Sequence, residues 1–390
     1  MKLNAEELTS LFLRVFSPDK SRDYSMAILV DVPGPGVPDN EAWARRRVMA
    51  LEWRKMLLGK KDDLGLDVHL FVFPCAGKNN ADLPELFWRW ESDAELPRSA
   101  SELEEGGGES RDTILSAHQV HVALTEFSAT APLKNFAKEH GTRGATMPGF
   151  KESMIPALRL DYDEISHRVG ILTDLLNKAG KAKIVFDVQN NTAYHLVLDL
   201  RHRKAHPSTG IFTEPGQVGN LPSGESYIVP YEGERTGDTS VSEGYIPVQF
   251  GDEVVVYEIR QNVAVSVISR GEKSAEEGEL LAREPAYGNI AELGLGVLGH
   301  FGLEPSGEIL LDEKLGLHIA FGRSDHFGGR VSPESFNDPK NVVHIDRVYV
   351  PGIQPKVGVL SLDLVSPEGK VVAVMRDNKY IIDFKKETSF

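Results

Sequence analysis

The sequence predicts an α/β N-terminal domain with a mostly parallel sheet over residues 1–205. It predicts a mainly β, barrel-like C-terminal domain over residues 206–390. Three observations lead there. In the first half, short apolar runs alternate with helix-patterned stretches, the order that builds parallel sheets. From about His206, glycine and proline become frequent and apolar residues recur at every second position, as on antiparallel strands. The length of 390 residues suits two domains, or at most three.

Ser25–Val32 (SMAILVDV) is a branched apolar run, suited to a strand buried on both faces. A helix is expected near Glu41–Leu58, where Met49, Trp53, Met56 and Leu57 fall on one stripe. Asp67–Phe73, Gln119–Leu124 and Lys183–Val188 read as further strands of the same sheet. A helix near Tyr162–Leu176 is marked by Ile165, Val169, Leu172 and Leu176. Asp93–Asp112 carries Glu102, Glu104, Glu105 and the glycines Gly106–Gly108 without apolar periodicity, so a mobile surface loop is expected there. In the second half, alternation at Val263, Val265 and Val267 and at Leu360, Leu362 and Leu364 predicts strands. Long helices are not expected, and the boundary falls between Arg201 and Gly219.

The formal charge of -15, from 58 acidic and 43 basic residues, argues against nucleic-acid and anionic-lipid partners, which need concentrated positive charge. Cys75 is the single cysteine and excludes an internal disulfide framework. Met1–Phe16 contains Glu6 and Glu7 and has Leu8, Leu11, Phe12 and Val15 at helical spacing. It reads as a packed amphipathic helix rather than a secretion signal. With no apolar run of membrane-spanning length, a cytoplasmic location is expected.

Chemistry-bearing residues concentrate in the second half. Val342–Val350 (VVHIDRVYV) puts His344 and Asp346 on one strand face, with Cβ atoms roughly 6–7 Å apart, able to converge on an ion above the strand. In Leu311–Gly322 (LDEKLGLHIAFG), His318 shares a face with the small Ala320. In Asn220–Pro230 (NLPSGESYIVP), Glu225 follows a Pro-Ser-Gly turn and opens a strand. In Asn289–Gly296 (NIAELGLG), Glu292 stands among apolar and glycine residues, where a carboxylate needs a cation or a strong donor. Taken singly, each fits a structural role. His300 between glycine-flanked turns and the basic run Arg201–His206 are weaker candidates, for a further ligand and for a substrate-carboxylate contact.

The four segments together resemble the aminopeptidase T family of dinuclear metallo-aminopeptidases. That family is recognised by an N-x-P-x-G-E turn, an E-L-G-x-G segment, an H-x-A-x-G strand and a late H-x-D strand. All four occur in this order, as Asn220–Glu225, Glu292–Gly296, His318–Gly322 and His344–Asp346. The resemblance covers the C-terminal half. It implies that Glu225, Glu292, His318, His344 and Asp346 hold two divalent metal ions (zinc, cobalt, manganese or magnesium), that the chain forms a homodimer, and that a metal-activated water removes N-terminal residues from peptides. One departure stands out. Where the family carries a tyrosine seven positions after the strand histidine, this chain has Asp325, which when ionised cannot donate to an oxyanion. The neighbouring His326 could donate instead, or join the metal shell. Two other readings compete. Ring-cleaving dihydroxypyridine dioxygenases, which use one ferrous ion, resemble the sequence at the H-x-D strand, though they carry histidine in place of Glu292 and lack an acid matching Glu225. The third reading is a non-catalytic homologue that keeps metals for structure.

Overall fold

The structure is a computed structural model that describes residues 2–189, 192–386 and 390. The chain divides into two compact units, and the division is not a single cut. One unit comprises residues 1–162 and 209–223; the other comprises residues 163–208 and 224–390.

The first unit is built on a seven-stranded sheet in the order Val218–Asn220, Arg143–Thr146, Val120–Leu124, Ser25–Val32, Asp67–Pro74, Leu86–Arg89 and Glu109–Ser110. The first five strands pair in parallel and the last two are antiparallel additions. Ser25–Val32 lies in the interior and is buried along almost its whole length, as its continuous apolar run predicts. The helix Glu41–Leu58 has the predicted bounds and is capped by the Asn40 side chain, which accepts from the Trp43 amide. The N-terminal helix Ala5–Phe16 is likewise closed by a capping box from Asn4 and Glu7. Residues 93–112, expected to be a mobile surface loop, contain a 3-10 turn at Ala100–Glu102 and the strand Glu109–Ser110. Trp88 Nε1 ties the segment down by donating to the Glu104 carbonyl at 2.9 Å.

The strand Lys181–Val188 corrects a sequence-based expectation. It does not extend the parallel sheet. It pairs antiparallel with Thr192–Asp199 and Val357–Val365 inside the second unit. The reason is visible in its pattern: Lys181 and Lys183 alternate with buried Ala182 and Ile184, so one face is wet, which a strand in the middle of a covered parallel sheet cannot allow. Residues 163–208 therefore belong with the C-terminal unit, and the cut between 205 and 206 does not describe the fold.

The second unit carries two antiparallel sheets. The larger has eight strands in the open order Val263–Val267, Glu253–Arg260, Glu243–Phe250, Thr192–Asp199, Lys181–Val188, Val357–Val365, Val371–Arg376 and Lys379–Tyr380. The smaller has five, in the order His344–Val348, Leu317–Gly322, Ile290–Gly296, Glu225–Ile228 and His206–Ser208. Neither sheet closes on itself as a barrel. A twelve-residue helix, Glu272–Arg283, also interrupts a half in which long helices were not expected. Among the described residues no helix is long and apolar enough to cross a membrane.

Candidate metal centre

The five-stranded sheet brings the four sequence segments together side by side. Glu292 pairs across the sheet with Ala320, and Ala320 with Asp346. Gly294 pairs with His318, Gly322 with His344, and Glu225 with Gly296. Directly opposed residues project to the same face, as do residues two apart on a strand. Glu225, Glu292, His318, His344 and Asp346 therefore share one face. The opposite face carries Leu293, Leu295, Ile319 and Phe321, all buried.

Small residues clear the space these side chains need. A methyl group at Gly294 would run into His318 Nε2, so the imidazole can lie across its neighbouring strand only because that position is glycine. A methyl at Gly296 would run into the backbone of Lys314. Ala320 separates Glu292 from Asp346 without filling the gap between them.

Glu292 is the hub. Its Oε1 lies 3.2 Å from His318 Nε2 and its Oε2 lies 3.4 Å from His344 Nε2. Asp346 Oδ1 is 3.6 Å from His344 Nε2, and Glu225 Oε2 is 3.5 Å from His318 Nε2. Two groups result, Glu225–Glu292–His318 and Glu292–His344–Asp346, each with ligand-type atoms within 4.8 Å of one another. The imidazoles are oriented from behind. His344 Nδ1 donates to the Arg323 carbonyl at 2.8 Å, and His318 Nδ1 faces the Gly316 carbonyl at 3.4 Å, so both Nε2 atoms point into the cluster.

Burial and the mutual charges of the cluster set its protonation. Burial opposes the charged form of His318, but the hydrogen bond to Glu292 and the charges of Glu225, Glu292 and Asp346 outweigh it and lift its pKa to about 9. His344 is raised well above its ordinary value against the same burial penalty, through the charge and hydrogen bond of Asp346 and then Glu292. Asp346 and Glu292 are held below the usual carboxylate range, burial being outweighed by the two histidines. The buried acceptor Glu225 Oε2 has no hydrogen-bond partner. Buried carboxylate oxygens converging with inward-facing imidazole nitrogens, as at Glu292, His344 and Asp346, are what a cation site looks like from the protein side.

Three participants escaped the sequence reading. Lys314, with a side chain only 1% exposed, places Nζ 2.5 Å from Glu225 Oε1 and also pairs with Glu313. Burial, reinforced by the charges of Glu225 and Asp346, lifts the Glu313 carboxyl to about 8 although Lys314 pulls the other way. Tyr227 opposes Gly294 and so shares the face. Its pKa is raised by burial and then by the charges of Glu292 and Glu225. The available signals were the adjacent Glu-Lys pair ahead of the His318 strand and a tyrosine two residues after Glu225.

Asp325 and His326 lie on the 3-10 turn Asp325–Phe327 beside the cluster. Arg323 Nε donates to Asp325 Oδ1 at 2.5 Å, so this carboxylate is already engaged. The His326 ring is 5.2 Å from that of His344. Burial, and then the charges of His344 and Arg323, push its pKa down to about 4. Phe327 stacks edge-on against Tyr227 at 4.9 Å and against His344 at 5.5 Å, giving the cluster an aromatic wall. The turn is anchored through Glu232, which accepts from Ser324 Oγ at 2.5 Å, Asn289 Nδ2 at 2.9 Å and the Arg330 amide at 2.6 Å. His300 stays out of both groups and packs against Tyr380 and Phe384. The run Arg201–His206 is occupied by ion pairs: Arg201 with Asp199 and Asp238, and Arg203 with Glu232 and Glu234.

Fold and cluster together define a two-unit α/β and antiparallel-β protein with an acid–imidazole centre of metal-binding type on its small sheet. Among solved structures, the 2,5-dihydroxypyridine dioxygenase from Pseudomonas putida KT2440 is similar over its full length. The TM-score is 0.61 at 14% identity, covering 98% of this chain and 99% of that one. No family model and no curated protein matches the chain. These findings overturn the aminopeptidase T resemblance and the peptide-hydrolase reading drawn from it. The motifs themselves have a physical explanation that does not specify a reaction: a side chain would collide with His318 at Gly294, with Lys314 at Gly296, with Leu298 at Gly224 and with Val343 at Gly322, and a larger one at Ala320 would fill the gap beside Asp346.

Proposed function

We propose that the chain is a divalent-metal-dependent oxygenase acting on a hydroxylated aromatic ring. The observation that carries this reading is the Glu292–His344–Asp346 group set beside the Phe327–Tyr227 wall. The full-length fold similarity to a dihydroxypyridine dioxygenase supports it. Imidazole with carboxylates suits ferrous or manganous ions better than soft metals, and the described side chains around the group include no thiolate. A bound ferrous ion would supply a binding point for a ring oxygen and the one-electron chemistry that lets dioxygen react with an organic molecule.

The chain's own groups do the rest. Phe327 and Tyr227 offer faces and edges against which a planar ring packs. His326, with its pKa pushed down to about 4 by burial, is a neutral imidazole near pH 7 and can accept a hydrogen bond from a ring hydroxyl at a ring nitrogen. The Arg323–Asp325 pair holds that turn in place.

The test is anaerobic loading with ferrous iron, followed by oxygen-uptake measurements with 2,5-dihydroxypyridine and a panel of dihydroxybenzenes. Uptake requiring both iron and ring substrate, and lost in Glu292→Gln, is expected. Iron bound at full occupancy with no uptake on any member of the panel rejects the reading.

A further inference from the structure

We infer that Lys314 supplies the second positive charge of the cluster, so that the centre takes a single divalent ion at Glu292, His344 and Asp346, with Glu225 serving as the partner of the lysine rather than as a ligand. The inference rests on the reading that this group holds an ion at all.

The two candidate groups share Glu292, whose oxygens face His318 and His344 respectively. A dinuclear centre would place one ion at each oxygen. The two positions are not equivalent, however. Among the described residues, the ion pairs of Glu292 and Asp346 within this group are with the imidazoles, and no lysine or arginine pairs directly with either carboxylate. Beside Glu225 there is one: Lys314 Nζ sits 2.5 Å from Oε1 and pairs also with Glu313. This ammonium cannot swing into water, because its side chain is 1% exposed and its backbone is packed where Gly296 has no side chain.

Four carboxylates, Glu225, Glu292, Asp346 and Glu313, are gathered here, and Lys314 already answers the two nearest it, Glu225 and Glu313. A second dication would sit against an ammonium bound to the same carboxylate, adding repulsion in a buried volume where charge imbalance is costly. A lysine is a point charge with three donors. It can occupy a cation's electrostatic place while leaving no coordination chemistry there.

The experiment counts ions, independently of turnover. Chelator-treated protein is titrated with Mn2+, with the free ion followed by electron paramagnetic resonance. Wild type is expected to take up one ion per chain. Glu225→Gln, which keeps a partner for Lys314, is expected to retain that ion with affinity changed less than about threefold, whereas losing a carboxylate that touches the ion would cost more than the roughly 10- to 100-fold of losing a group behind a ligand. Lys314→Met is expected to gain a second equivalent. Two tight equivalents in wild type, a loss beyond about tenfold in Glu225→Gln, or a folded Lys314→Met that still binds one ion would each overturn the inference. If Lys314→Met does not fold, the Glu225→Gln titration still decides. Failure of the underlying reading looks different: wild type then binds no Mn2+ at all.

Discussion

Gly294 decides where the His318 imidazole lies. No side chain heavier than hydrogen fits between the two strands at that point, because the ring of His318 crosses directly over it. Gly294→Ala is therefore expected to push the ring off Glu292 Oε1 while leaving the strand pairing intact. Displacing an oriented imidazole beside a metal-binding carboxylate should weaken Mn2+ binding by about 10- to 100-fold. Calorimetric titration against wild type, with far-UV circular dichroism as the control for folding, checks this. Unchanged affinity would mean that His318 does not act on the ion through Glu292. His344 and Asp346 were legible as same-face neighbours from their spacing alone. Lys314 and Glu313 were not, because sequence distance does not reveal that the Glu225 strand lies beside the Glu292 strand. That proximity is set by sheet order, which no local pattern encodes.

At the scale of elements, the segment leading into the His344 strand depends on one buried carboxylate. Glu284, fully buried, accepts from the Asn337 amide at 2.9 Å, the Asp338 amide at 3.2 Å and Asn341 Nδ2 at 3.3 Å. Glu284→Ala leaves backbone donors without a partner and should destabilise the second unit by about 2–4 kcal/mol. Because the freed stretch precedes His344, the variant should also be cut by trypsin at Lys340 or Arg330 faster than wild type, in a limited digest read by mass spectrometry. An unchanged cleavage rate would show that the turn holds without its anchor. Elements with an unambiguous period were legible: Ser25–Val32 and Glu41–Leu58 have the bounds their patterns predict. Lys181–Val188 is less legible because its short apolar core suits either sheet, and only the lysines that alternate through it mark the antiparallel one. The helix Glu272–Arg283 was missed because Glu272, Glu276, Glu277 and Glu279 dilute its apolar stripe, which leaves few residues such as Leu281 to mark a buried face.

At the scale of the molecule, the second unit is discontinuous, built from residues 163–208 and 224–390, and the strand His206–Ser208 from its first segment pairs with the Glu225 strand of the centre's sheet. No local sequence reading shows a chain leaving one unit and re-entering it. The assembled centre should then make stability depend on metal and on pH in a linked way. In metal-free protein the folded pKa of His318, about 9, lies above its ordinary 6.5. The bound proton therefore stabilises the fold fully below about pH 6.5, and that stabilisation is lost as pH rises through about 9. His344, also raised, must give up its proton when a cation binds, so metal affinity should increase with pH by up to about tenfold per unit for one displaced proton. The two effects act in the same direction on the difference between loaded and metal-free protein. At saturating Mn2+, about 100-fold over the dissociation constant, the gain should be ~2.7 kcal/mol. At fixed total Mn2+ it should be small at about pH 6, where protons compete well, and largest toward about pH 8.5. Urea denaturation with and without Mn2+ at the two pH values measures this. A metal-induced gain that stays constant across the range would show that the ion does not compete with the histidine protons, and would place it elsewhere than at His344.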